Sequence, residues 1–371
     1  MRKFSFFSDK IDLVLLISSI LAALLGILVI NSASWTLDSH VRYVLVQSAA
    51  FILGIGAMSA TIFFSYKYFE KLRFLIFAAG IGLLILVLAI GRLSHGTQGW
   101  LVLGPITIQP SEIAKICFII TLSLHISKKY NSINTLKTLS GLVLHLLCYA
   151  FPVLMQPDFG TATVFVVIFA FELFFAGIYR KYIVGVCALG AIVSPIVWLL
   201  LEEYQKNRII SLFFPEKDPT GSGYHVLQSK LAIGSGMIWG RGYLRGPQTQ
   251  YGYLPEKQTD FVFSVVGEEF GLIGAIFISA LLLLIVYRCF DNAKSCSHDT
   301  FGEMICIGVG SMMFFHVLEN IGMCLGLLPI TGIPLPFISY GGSNLVTCFI
   351  AVGLVQNVRM RRRATKFDFL E

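Results

Sequence analysis

The stretch "YLPEKQTDFVFSVVGEEFGLIGAIFISALLLLIVYR", Tyr253–Arg288, decides how the chain is read. From Leu272 onward it is apolar and uncharged until Arg288. With the residues before it, that is enough for a membrane helix, which takes about 20 apolar residues. The first half is different. Asp260 stands where the span begins, and Glu268 and Glu269 follow inside apolar surroundings. Ionised carboxylates at bilayer depth are costly, so they face the protein interior and often mark function. At the helical rise Glu268 lies roughly 12 Å deeper than Asp260, rotated by roughly 80°. Asp260 has an ordinary explanation as a helix N-cap. No cap explains Glu268 or Glu269, which need buried partners or protons.

The rest of the chain has the same character. Of its 371 residues, 56% are hydrophobic and only 13% charged, and the mean hydropathy is +0.78. A soluble domain carries about 25% charged residues. The sequence therefore predicts an all-α integral membrane protein, one polytopic domain over 1–371, rather than a set of soluble domains. The net charge of +7 does not point to nucleic acid, because the basic residues sit in short loops, as cytoplasmic loops of membrane proteins require. Most of the eight cysteines lie in apolar runs, where Cys acts as a small hydrophobe. No C-x-x-C pair suggests metal or redox chemistry.

Apolar runs predict about ten transmembrane helices, near 11–31, 43–64, 74–91, 111–127, 140–155, 161–179, 183–201, 261–287, 301–319 and 343–358. The first run follows Arg2, Lys3 and Lys10, is too long for a signal-peptide core and is read as a span. Basic residues mark alternate loops: Lys67, Lys71 and Arg73; Lys128, Lys129 and Lys137; Arg180 and Lys181; Arg288 and Lys294. Arg359, Arg361, Arg362, Arg363 and Lys366 close the chain. Both termini are thus expected in the cytoplasm. One loop, about 202–260, falls on the outer side and is too long to be a simple connector. Its Trp, Tyr and apolar residues predict short amphipathic helices at the outer surface. No internal repeat of the kind found in many transporters stands out.

Polar segments gather on that outer side. In "QPSEIAK", 109–115, Pro110 and Ser111 read as a helix start, and Glu112 and Lys115 share a face three residues apart. A structural ion pair is the plainer account of them. In "QPDFGTAT", Asp158 occupies a tight loop, where capping alone would explain it. In "LLPITGIPLPFISYGGSNLV", prolines and glycines break an apolar run over about 327–343. Irregular backbone at membrane depth is tolerated only when buried in protein or lining a wet cavity, so this segment reads as re-entrant.

These segments, "QPSEIAK", "QPDFGTA", "LPEKQTDFVFSVVGEEFG" and "NIGMCLGLLPITGIPLPFISYGGS", resemble the signatures of the SEDS family (shape, elongation, division and sporulation). They run in the family's order from Gly96 to Ser343. "PITGIPLPF" is more similar to the elongation branch, RodA, than to the division branch, FtsW. Gly99, Glu319 and Asn344 depart from the usual family residues.

The resemblance implies a peptidoglycan glycosyltransferase of the cytoplasmic membrane, active on its outer face in elongation and shape maintenance. It implies lipid II as substrate, and a class B penicillin-binding protein and other elongation-complex membrane proteins as partners, with no nucleic acid. The family's essential Asp falls on Asp260, and its polar positions fall on Glu112, Lys115 and Asp158. Inversion at the anomeric carbon suits one displacement step, with Asp260 as general base. Lys115, Arg208, Lys230 and Arg241 are candidates to compensate the leaving pyrophosphate, and Ser339, Tyr340, Gly341 and Gly342 complete the substrate-binding set. Glu268 and Glu269 are read as structural polar residues. No cofactor is required by these residues; Mg²⁺ or another divalent cation is a candidate, since it favours carboxylate with phosphate oxygen. A lipid II flippase, or a non-catalytic scaffold of the elongation machinery, would use the same surface.

Overall fold

The computed structural model describes residues 11–94, 97–103, 106–200, 203–218, 221–296 and 298–361. Arg2, Lys3, Lys10, Gly96, Arg362, Arg363 and Lys366 lie outside the described residues.

Every apolar run expected to cross the membrane coincides with a helix of 17 to 33 residues. These are α1 (Leu13–Ser34), α2 (His40–Phe63), α3 (Arg73–Ile90), α4 (Pro110–Lys129), α5 (Leu136–Leu154), α6 (Phe159–Phe175) and α7 (Arg180–Leu200). After the long loop come α10 (Val262–Lys294), α11 (Thr300–Cys324) and α12 (Gly342–Met360). Seven of these helices meet the length and hydropathy needed to cross a bilayer. Their starts follow capping chemistry. Asp12 accepts from Leu15 N at 3.1 Å, and Asp158 from Thr161 N at 2.9 Å. Pro110 supplies N1 of α4.

Two helices form the centre. Windows of α4 and α11 are 78% buried, against 17% for α3, so α3 is peripheral and α4 and α11 are the core. Around them α10 packs on α11 and α1, α6 on α11, and α2 along α12. With lipid as solvent, close packing of small residues holds such helices together. Gly54 and Gly353 allow it between α2 and α12: a Cβ on Gly54 would come within 2.4 Å of the Phe349 ring. At the end of the bundle away from Asp260, the Asp12 carboxylate receives Arg288 at 2.7 and 2.8 Å and Asn292 at 2.7 Å. Burial alone would raise that carboxyl, but the Arg288 guanidinium, Leu15 N–H and Asn292 hold it below its ordinary value.

Three features differ from the sequence reading. First, the α3–α4 loop holds strands that the sequence reading did not name. It forms a small antiparallel sheet of β1 (Arg92–Ser94), β2 (Thr97–Leu103) and β3 (Ile106–Ile108), in the order β1-β2-β3. Its β-branched and aromatic residues, among them Trp100, Val102, Ile106 and Ile108, favour extended pairing. Second, of the loop helices α8 (Glu203–Phe213) and α9 (Ser222–Ser235), α9 packs against a long apolar helix. The α9 helix docks on α10, burying Gly223, Val226, Ser229 and Ala232. Ser229 Oγ lies 2.6 Å from Ser264 Oγ and 2.6 Å from the Cys324 carbonyl.

Third, α10 is not continuous. Gly271 sits inside it at φ 65°, ψ −163°, and splits it in two. The backbone of 237–242 fills the break. Arg241 N donates to Glu268 O at 2.9 Å, Gly242 N to Glu269 O at 3.0 Å, and Leu272 N to Met237 O at 2.9 Å. Carbonyls and amides freed by the break are thereby paired, as buried backbone in lipid requires. Close approach dictates glycine on the other side too: a Cβ on Gly240, at φ 82°, would stand 2.1 Å from Glu269 O.

This geometry separates two glycine substitutions. Gly252 also has positive φ, 77°, but nothing within 4 Å of a Cβ. Gly252→Ala should lose only the left-handed backbone term, about 1–2 kcal/mol. Gly240→Ala should lower the thermal midpoint in detergent much further. Equal shifts in the two variants would contradict the docking of 237–242 into the break.

Candidate active site

The site is built on residues 325–341, which join α11 to α12 without regular structure. Ile333, Leu335, Phe337 and Ile338 within it are buried. Buried irregular backbone must find hydrogen bonds outside itself. Here polar side chains from inside the membrane helices supply them. Asn320 donates to Ile333 O at 2.9 Å, and His316 Nδ1 lies 3.2 Å from Pro334 O. Gln47 donates to Ser339 O at 3.2 Å and accepts from Gly341 N at 3.1 Å. Ser339 Oγ accepts from Leu335 N at 2.8 Å.

The same segment grips the turn that precedes α10. Ser339 Oγ donates to Thr259 O at 2.7 Å, and Tyr340 N donates to Gln258 O at 2.8 Å. Asn320 also donates to Asp260 O at 2.9 Å. Asp260 is thus fixed through its backbone and that of its two predecessors. Its side chain is not the cap of α10: the N-cap residue is Phe261, and no side chain caps that end. The carboxylate instead faces Gly332, with Oδ2 3.5 Å from where a Cβ would stand.

Other candidate residues meet the same segment. Arg208, from α8, donates to Ile330 O at 3.4 Å. Glu319 accepts from Thr331 Oγ1 at 2.9 Å, which accounts for a carboxylate unusual at that position. The start of α6 abuts it at Gly160, where a Cβ would lie 2.8 Å from Thr331 O. Lys230 is exposed, and its amine lies over Gly326. Residues 326–333 therefore form a floor shared by Asp260, Arg208, Lys230 and the α6 N-terminus.

The remaining candidates lie elsewhere. Glu112 and Lys115 are 2% and 1% exposed. Lys115 Nζ reaches Glu112 Oε1 at 2.9 Å and His316 Nε2 at 3.1 Å, so the pair sits under Pro334 rather than beside solvent. Asp158 caps α6, its second oxygen accepting from Thr161 Oγ1 at 2.7 Å. Arg241 is exposed and contributes its backbone N–H to the α10 break. Glu268 accepts from Gln248 N at 2.7 Å, Thr249 N at 2.9 Å and Thr249 Oγ1 at 2.6 Å, capping the single turn Pro247–Gln250. Glu269 accepts from Ser32 Oγ at 2.5 Å and Gln250 at 3.2 Å. Gly341 and Gly342 open α12.

An apolar cavity of about 820 Å³ opens between α5, α6 and the start of α7, lined by Val143, Leu144, Leu147, Phe169 and Leu173. Among the described residues, no three His, Cys, Asp or Glu side chains gather as a metal cage.

A sequence profile of the cell cycle protein family of FtsW, RodA and SpoVE matches residues 12–364. The chain belongs to this family. The family member MrdB of Escherichia coli (strain K12), a peptidoglycan glycosyltransferase, is 40% identical over 76% of each chain. RodA of Treponema pallidum, also named a peptidoglycan glycosyltransferase, is 31% identical over 95% of this chain and 98% of its own. Among solved structures, a chain from a peptidoglycan synthase complex that coordinates polymerization and crosslinking superposes with a TM-score of 0.80 at 30% identity, covering 94% of this chain and 97% of that chain. Thermus thermophilus RodA superposes at 0.70 with 27% identity, covering 96% and 98%.

At this candidate site, sequence reasoning missed Gln47, His316 and Asn320, and the buried Lys257, whose Nζ donates to Thr249 O at 2.5 Å. The available signal was a lone polar side chain inside an apolar helix, which by default is functional or structurally committed. Glu172, fully buried in α6 with both oxygens 3.2 Å from Ser123 Oγ, carries the same signal.

Because Lys115 has no water to fall back on, Glu112→Ala should destabilise the fold by about 3–5 kcal/mol, the usual loss when one partner of a buried pair is removed. The neutral double variant Glu112→Gln/Lys115→Met should recover most of the thermal midpoint in detergent. A double variant no more stable than Glu112→Ala would show that the charges are not what holds this region.

Proposed function

We propose that this chain is a peptidoglycan glycosyltransferase of the elongation type, polymerising lipid II at the outer face of the cytoplasmic membrane. Family membership and the named activity of its relatives support the reaction class. The observation that carries the mechanism is Asp260: held by backbone hydrogen bonds, uninvolved in capping α10, and turned toward Gly332.

In this reading the acceptor's 4-hydroxyl attacks the anomeric carbon of the donor. The bond from that carbon to the pyrophosphate oxygen breaks, the configuration inverts, and the hydroxyl proton passes to Asp260. One displacement needs no covalent glycosyl-enzyme and so no second nucleophilic carboxylate. Arg208 and Lys230, on the shared floor, compensate the charge on the departing pyrophosphate. Asp260 is the carboxylate that would hold a Mg²⁺ at this site, and the ion would supply further charge compensation. Glu112, Lys115 and Asp158 act as positioning residues beneath and beside the floor. The ten helices would all cross, with both termini inside. A crosslinking transpeptidase is the partner suggested by the related synthase complex.

Purified Asp260→Asn and Asp260→Ala should fold, with thermal midpoints near wild type, and make no glycan from lipid II. Wild-type rates in either variant would remove Asp260 as base. A fall in stability of about 1 kcal/mol with chemistry intact would return it to a capping role.

A further inference from the structure

The outer face holds a second cavity that the mechanism above does not use. It has a volume of about 660 Å³ and lies between the α1–α2 connection, 36–39, and the loop 250–258. That size falls within the roughly 300–1,000 Å³ of ligand sites. Gln258 lines it and is also the residue whose carbonyl Tyr340 N holds, two positions before Asp260. The trough and the Asp260 site are therefore neighbours, walled by the same turn.

Its chemistry differs from that of the floor under Asp260. Two tyrosines line it, and each is propped by another. Tyr251 is 75% exposed and meets Tyr253 edge-on at 6.3 Å. Tyr43 meets Tyr340 edge-on at 4.7 Å. Asp38, Ser39, Glu256 and Gln258 line the trough as well. Propped aromatic faces with carboxylate and amide acceptors nearby suit a sugar ring, which has apolar C–H faces and a rim of hydroxyls. The single cation among the lining residues, Lys257, is 3% exposed and turned inward to Thr249 O at 2.5 Å and Thr36 Oγ1 at 3.1 Å. It presents no charge to the trough. A pyrophosphate-linked sugar needs such charge, and the basic side chains Arg208 and Lys230 lie instead with residues 326–330.

We propose that this trough binds the uncharged sugar backbone of the growing β-1,4 glycan as it leaves Asp260, and so keeps the strand engaged between additions. The proposal rests on the glycosyltransferase reading for its role, though not for its binding chemistry. Two measurements test it. The first is the length distribution of glycan made from lipid II by wild type, Tyr251→Ala, Asp38→Ala and Tyr251→Phe. The second is calorimetric binding of a β-1,4-linked N-acetylglucosamine hexamer to the same proteins. Tyr251→Ala and Asp38→Ala, both at exposed positions, should give shorter strands. Hexamer binding to Tyr251→Ala should weaken about tenfold, a usual loss for one aromatic anchor. Tyr251→Phe, which keeps the ring, should retain both. Unchanged strand lengths and hexamer binding in Tyr251→Ala would overturn the proposal, as would a variant whose only defect is failure to hold a crosslinking partner. If wild type makes no polymer, the catalytic reading fails instead, and hexamer binding alone still decides the trough.

Discussion

One amide joins three parts of this protein. Asn320, fully buried in α11, spends its two N–H donors on Asp260 O and Ile333 O, each at 2.9 Å. It thereby ties the central helix to the turn before α10 and to the irregular segment between α11 and α12. Asn320 is buried, so leaving either of its donors unpaired would be expensive. Ser339 and Tyr340 repeat the connection from the other end of the segment, through Thr259 and Gln258. The catalytic candidate is thus placed by backbone contacts, and its carboxylate is left to face the floor at Gly332.

The same pressure to pair polar groups at depth organises the surroundings. Lys115 is held between Glu112 and His316, and His316 passes the restraint on to Pro334. The break at Gly271 is closed by the backbone of 237–242. Glu268 and Glu269, on the near side of the break, fasten the single turn Pro247–Gln250, Ser32 and thus α1. These contacts carry the loop 236–258 down onto the helices, and that loop ends at Asp260. Arg208 and Lys230 meet the segment after α11 from α8 and α9.

How much of this was legible depends on the range of the signal. A run of about 20 apolar residues fixes a helix by itself, so each expected span is found as a helix with borders shifted by a few residues. Local chemistry was legible too: Pro110 at N1, the Glu112–Lys115 spacing, and Asp158 before its helix. The break in α10 was hidden because a single glycine in an apolar run reads as tolerated; its cause lies some thirty residues earlier in the chain. The sheet over 92–108 was hidden because strands of three to seven residues are set by pairing rather than propensity. Gln47, His316 and Asn320 scarcely change hydropathy, and their partners are distant in sequence, so only the folded chain explains them.

The central claim is that Asp260 works because Asn320 and its neighbours hold its backbone in place. It is tested most directly by steady-state lipid II polymerisation in Asn320→Ala, alongside a thermal melt of the same preparation. The account predicts a folded protein in which kcat falls at least tenfold while KM stays near wild type, since only the orientation of the base is lost. Wild-type kcat in a folded Asn320→Ala would contradict it.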